Sequence, residues 1–241
     1  MANRELNAKY KGSFLGIIWS MLNPLLNLVV YSLVFSIFLR VTIPYFSLFL
    51  LSGLLPWTFF QQSIQTSGVS LISYSNLVKK VSFPREIVPL SVVISGYINF
   101  LIGLFVLLII SALFRNPMHI TWLYTPIVSI PLIFITASMS LLFASVTVYF
   151  RDLEHLTSVL LFAWFYITPI VYSKNMVPNK FQIILKINPL ESYIVQFQRI
   201  LYYGLSPQWR IVFFQMIVGI ILLLLSQKIF RKVIKHAAEV L

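Results

Sequence analysis

Six acids, three histidines and no cysteine are the whole supply from which this chain could build acid–base or metal chemistry. They are scattered. Glu5, Glu86, Asp152, Glu154 and Glu239 flank long apolar runs, and Glu191 sits in a proline-punctuated segment. No apolar run has a carboxylate in its middle, which argues against the intramembrane proton or sodium relays of coupled pumps. His119, His155 and His236 stand too far apart in sequence and type of segment to suggest a metal site. None of the eight glycines is followed by lysine, so the phosphate-cradling G-x-x-x-x-G-K-[ST] loop is missing and any use of ATP must be borrowed. The residues point to a protein that does no covalent chemistry and holds neither cofactor nor metal of its own.

What remains chemically distinctive is a basic stretch, "YSNLVKKVSFPREIVPL" at 74–90, set between two apolar runs. Leu77, Val78 and Val81 suit a cleft on a soluble partner, while Lys79, Lys80, Arg85 and Glu86 can orient the contact and Pro84 can end a short helix. Docking of the same charges on lipid headgroups is the other reading.

The elements that must position this loop are membrane helices. The chain is 59% hydrophobic and only 10% charged, against about 25% charged in soluble domains. A bilayer core takes about 20 apolar helical residues to cross, and six such runs are predicted: about 15–39, 45–72, 87–114, 121–150, 156–172 and 209–225. The fold class is therefore an all-α integral membrane protein, a single domain over 1–241. The first run exceeds a signal-peptide core and lacks a small-x-small cleavage pattern, so it is expected to stay.

Six spans put both termini on one side. That side collects Arg4, Lys9, Lys11, Lys79, Lys80, Arg85, Arg151, Lys228, Arg231, Lys232 and Lys235, the larger share of the 18 Lys and Arg. By the positive-inside rule it is the cytoplasm. The net charge of +12 is assigned to anionic lipid and not to nucleic acid.

Ahead of the first span, Leu6, Tyr10, Phe14 and Ile17 recur at helical spacing with Arg4, Lys9 and Lys11 on other faces, the pattern of a helix lying on the membrane surface; a charged anchor fits as well. Asn23, Pro24 and Asn27 inside the first span should face protein or a water-filled path. Trp57, Phe59, Phe60, Tyr97, Trp164, Tyr166 and Tyr172 offer rings and polar tips for sliding contact with sugars, or else pack helices and mark interfaces. Beyond the fifth span, the segment 173–207 is punctuated by Pro178, Pro189, Gly204 and Pro207. In "INPLESY", Asn188, Pro189 and Glu191 fit a helix cap, a first-turn proline and a capping glutamate. Two short helices are predicted there, dipping into or lying on the outer interface.

Several of these stretches together resemble one family. "YKGSFLGIIWSMLNPLLNLVVYSLVFS", "YSNLVKKVSFPREIVPL", "YFRDLEHL", "ITPIVYS" and "NPLESYI" are similar to the permease subunits of ABC-2 type polysaccharide exporters, which move O-antigen, capsule or teichoic-acid chains across the bacterial cytoplasmic (inner) membrane. The likeness runs from about Arg4 to Trp209. It implies a six-span half-transporter that pairs with a second copy of itself and with two ATP-binding-cassette ATPase subunits, which bind ATP and Mg and do the hydrolysis. It implies that the coupling region is Ser75, Asn76, Leu77, Val78, Lys79, Lys80, Val81, Ser82, Phe83, Pro84, Arg85 and Glu86, helped by the N-terminal interface helix. It also implies that the two short helices gate the outer exit. The expected task is export of a lipid-linked, O-antigen-like polysaccharide. An exporter of a small hydrophobic drug or lipid, and a non-transporting scaffold for glycan-assembly enzymes, are the alternatives.

Overall fold

The computed structural model describes residues 18–38, 43–75, 83–113 and 117–235, and all regular structure among them is helical. In chain order the α-helices are α1 (Ile18–Ser32), α2 (Phe46–Ser73), α3 (Ile87–Leu113), α4 (Thr125–Thr147), α5 (Leu153–Ile167), α6 (Gln182–Ile187), α7 (Pro189–Leu201) and α8 (Trp209–Ile234). A wider π-helical stretch, Leu33–Phe38, prolongs α1, and a 3-10 turn, Ile120–Tyr124, leads into α4. Three helical stretches among the described residues are long and apolar enough to cross a membrane: Ile87–Leu113, Ile120–Thr147 and Trp209–Ile234.

Helix α2 is the axis of the bundle. It packs on α3, α4 and α7, and α4 in turn carries α8. From Phe46 to Phe60 nearly every α2 side chain is buried, as a helix apolar all round must be. Its second half changes character, with Gln61, Gln62 and Gln65 in succession, and that is why α2 is long enough to span yet less apolar than α3, α4 and α8. Helices α1 and α5 lie at the edge, with Leu26, Val29, Val30, Leu156, Val159, Leu160 and Phe162 exposed.

Helix α5 is 15 residues long, about 22 Å at 1.5 Å per residue, short of the roughly 30 Å of a hydrocarbon core. It stops because Pro169 cannot continue the ladder. The chain after it, 168–171, is buried and non-helical. Such backbone needs side chains for its polar groups. Gln198 supplies one, its Nε2 donating to the Pro169 carbonyl at 2.8 Å.

The predicted pair of outer helices divides. The first, α6, has mostly exposed side chains, whereas α7 is buried along most of its length. Its last carbonyls are taken by Thr121 Oγ1, donating to Ile200 O at 2.6 Å, and by Trp122 Nε1, donating to Leu201 O at 3.0 Å. Gly204 follows with φ 64, the left-handed conformation that glycine adopts at no steric cost.

Candidate functional site

Two features stand out, one at an end of the bundle and one along its side. The bundle end that holds the 83–86 turn also holds the 148–152 turn and the C-terminus of α8. The last turn of a helix leaves carbonyls without partners, and here both turns supply donors. Arg85 Nη1 donates to Ile234 O at 2.7 Å, and Tyr149 OH donates to Val233 O at 2.7 Å. Beside them Arg231 grips Glu86 with two bonds, Nη2 to Oε1 at 2.6 Å and Nε to Oε2 at 2.9 Å. The hydrogen bonds from Arg231 and its positive charge, opposed in part by burial, hold the Glu86 carboxyl below its ordinary range. Leu71, Val88, Leu141, Val148, Phe230 and Ile234 form the apolar floor, with Phe83 packed against it. A recess of about 430 Å³ opens between Pro84, Glu86, Arg231 and Lys235.

Arg85 and Glu86, which the sequence offers to a partner, are thus engaged within the chain. Ser75 is half-buried and Pro84 exposed. Residues 76–82, which include Asn76, Leu77, Val78, Lys79, Lys80, Val81 and Ser82, lie outside the described residues, as do Arg4, Leu6, Lys9, Tyr10 and Lys11 of the interface helix.

The second feature runs along α2 where it faces α1 and α5. Thr58, Gln61, Gln62, Gln65, Thr66 and Val69 follow at spacings of three, one, three, one and three, which keeps them on one helical face. Toward the middle of the bundle they line a recess of about 280 Å³ with Asn27 and Tyr31 of α1 and Phe162 and Phe165 of α5. Nearer the end that carries the 148–152 turn they line a second, of about 360 Å³, with Thr147, Glu154, Thr157 and Ser158. Gln65 belongs to both. The rings are ordered by one another: Tyr31 stacks on Phe165 at 5.5 Å, Trp57 meets Phe165 edge-on at 5.8 Å, and Tyr166 meets Phe162 edge-on at 5.2 Å. Trp57 also donates Nε1 to Gln61 Oε1 at 2.9 Å, fixing that amide.

Of the residues that the sequence proposed for a path, Asn27 and Trp57 line this groove, and Tyr166 stands behind it against the rings of Phe162 and Phe165. Phe59, Phe60 and Tyr97 pack in the core, Phe59 and Tyr97 edge-on at 5.9 Å and Phe60 and Trp164 edge-on at 5.6 Å. Tyr97 OH also bonds Ser129 Oγ at 2.8 Å. Trp164 holds the start of α7, its Nε1 donating to Asn188 Oδ1 at 2.8 Å, and Tyr172 OH donates to Tyr166 O at 3.0 Å. The side chain of Asn23 lies outside the described residues. Sequence reading missed Gln61, Gln62, Gln65, Thr157 and Ser158. Three glutamines at helical spacing in a 28-residue helix without a charged residue were the available signal, because lipid penalises such a face.

A helical bundle with long apolar helices, a polar face along one of them and a clasped basic end is the architecture of an all-helical membrane protein. The chain belongs to the ABC-2 type transporter family, which matches it over residues 1–202. It is 34% identical over 242 aligned positions to the O-antigen export system permease protein RfbA of Klebsiella pneumoniae, covering 100% of this chain and 93% of that protein. A protein of the same description from Myxococcus xanthus is also 34% identical, over 99% of this chain and 93% of its own length.

Proposed function

We propose that the chain is the membrane half of an ATP-driven exporter that moves a lipid-linked, O-antigen-like polysaccharide across the bacterial cytoplasmic (inner) membrane. It works as two copies with two ATPase subunits, which supply ATP, Mg and the hydrolysis. Helices α1, α2, α3, α4 and α8 and the α5 segment with its non-helical extension are the six crossings, with both termini in the cytoplasm. The full-length likeness to O-antigen export permeases supports the substrate class, but the observation that carries the reading is the α2 face. Amides donate and accept at once, hydroxyls do the same, and the rings of Tyr31 and Phe162 offer flat apolar surface beside them. That is the chemistry of a sugar chain, with hydroxyls on its edges and C–H groups on its faces.

The 74–86 loop receives the ATPase. Leu77 and Val78 fill its cleft, and the clasp on α8 carries the motion into the bundle. The N-terminal segment 4–11, read from the sequence as an interface helix, braces the same side, and the 173–207 segment covers the outer exit.

The test is reconstitution of the permease with its ATPase in proteoliposomes. Charge reversal at Lys79 and Lys80, or Leu77→Asp with Val78→Asp, should abolish glycan-stimulated ATP hydrolysis while insertion is retained; wild-type coupling in all of them would refute the docking role. Stimulation by a hydrophobic drug but not by a glycan lipid would favour a small-molecule exporter, and absence of any ATP-dependent movement would favour a scaffold.

A further inference from the structure

The two recesses along α2 differ from most of this chain in charge. The protein carries 18 Lys and Arg against six acids, yet among the described residues no lysine, arginine or histidine lines either recess. Their polar groups are the amides of Asn27, Gln61, Gln62 and Gln65, a set of hydroxyls, and one carboxylate, Glu154, in the first turn of α5. The turn before it carries Arg151 and Asp152, exposed like Glu154 and opposite to one another in sign, so among the described residues Glu154 is the charge left over at the mouth of the groove.

A charged sugar leaving water needs a counter-charge or it pays the cost of desolvation. A uronate or sialate unit would find none among the described residues of the groove, and would meet Glu154 as a like charge. A neutral sugar loses nothing of the kind. Its hydroxyls exchange water for the amides, and two adjacent hydroxyls suit the two oxygens of Glu154, since an ionised carboxylate only accepts. Discrimination of this sort comes from the mismatch that the wrong substrate suffers.

We infer that the groove along α2 selects polysaccharides built of uncharged sugars, with Glu154 at its mouth accepting hydrogen bonds from a sugar diol and turning away anionic units. The inference rests on the export reading above and specifies its substrate.

The test uses the full permease with its ATPase in proteoliposomes and two probes of equal length: a polyprenyl-diphosphate-linked oligosaccharide of neutral hexoses, and one in which alternate units are uronic acids. Both carry the same diphosphate lipid, so only the sugar charge differs. The neutral probe is expected to stimulate ATP hydrolysis at a half-maximal concentration at least about tenfold lower, a difference of about 1.4 kcal/mol. Glu154→Lys combined with Gln65→Lys should narrow that gap to about threefold or less. Equal response of the wild type to both probes overturns the inference and leaves export standing, as does a gap that the lysines leave unchanged in a variant that still responds to the neutral probe. If neither probe stimulates hydrolysis, the export reading fails and the inference with it. The wild-type comparison decides the matter even where the lysine variant does not fold.

Discussion

Replacing Asn188 by alanine removes three hydrogen bonds from one buried point. The side chain is 7% exposed. Its Oδ1 accepts from Leu190 N at 3.0 Å, capping α7, and from Trp164 Nε1 at 2.8 Å, while Nδ2 donates to Thr168 Oγ1 at 2.9 Å. Loss of the cap costs about 1 kcal/mol. An indole N–H left without an acceptor at a buried site costs about 1–3 kcal/mol more. Thr168 keeps its own donation to Trp164 O at 2.9 Å, so its loss is small. The sum is about 2–4 kcal/mol, large against the roughly 5–15 kcal/mol that holds a typical protein. Asn188→Ser keeps a capping oxygen but is too short for Trp164, and should recover about 1 kcal/mol of the loss. Equilibrium unfolding by SDS titration in mixed micelles, followed by circular dichroism, gives the ranking. Trp164→Phe in the Asn188→Ala background should cost less than in the wild type, because the orphaned donor leaves with the indole. If alanine and serine are equal, or both lie within about 0.5 kcal/mol of wild type, the reasoning about this junction is wrong.

Two further perturbations test other parts. Gly204→Ala must hold φ 64 and would press its Cβ into the His119 ring at Nδ1, so about 1–2 kcal/mol of backbone strain adds to a displaced ring; a lower unfolding midpoint in the same titration is expected, and an unchanged one would contradict the turn. Reversal of either Glu86 or Arg231 should reduce coupled ATP hydrolysis, and the double swap Glu86→Arg with Arg231→Glu should restore most of it. Because the folded Glu86 carboxyl titrates below its ordinary value, the pair's stabilisation is complete above the ordinary carboxylate pKa and is lost as pH falls through the lower folded one. Acid titration of wild type and Glu86→Gln should therefore converge at low pH, and parallel curves would count against the pair.

Much of the architecture was legible because crossing a membrane leaves a simple trace. The boundaries of α2 and α3 follow their apolar runs closely, whereas α8 continues past the predicted end at 225 into a basic last turn with Arg231 and Lys232. Helix α7 was harder. Glu191, Gln196 and Gln198 give it a polar face that reads as surface, but those groups meet Lys174, Gln208 and the Pro169 carbonyl inside the protein. Such pairings join residues 12 to 29 positions apart, and no local pattern announces them. The same holds for Arg85 and Glu86, whose partners lie 149 and 145 residues away. Aromatic type alone could not separate Tyr166, at the edge, from Phe60, in the core. The glutamines of α2 were visible all along, and their helical spacing was a better guide to the polar face than the rings were.

The break at Pro169 gives α5 the mechanics of a jointed lever. A continuous helix transmits a tilt along its whole length, since bending it means breaking its own ladder. Here the ladder ends at Ile167, and beyond it Gln198 holds the Pro169 carbonyl and Asn188 the Thr168 hydroxyl, bonds that can lengthen or swing without unwinding any turn. Helix α5 begins one residue after the 148–152 turn, whose Tyr149 grips α8. A shift at that turn therefore tilts a short rigid arm about a pivot near residues 168–171, where Trp164 and Thr168 tie it to the Asn188 cap of α7. The arm that moves carries Phe162, Phe165 and Glu154, and so the width of the polar groove becomes a function of the angle at this joint.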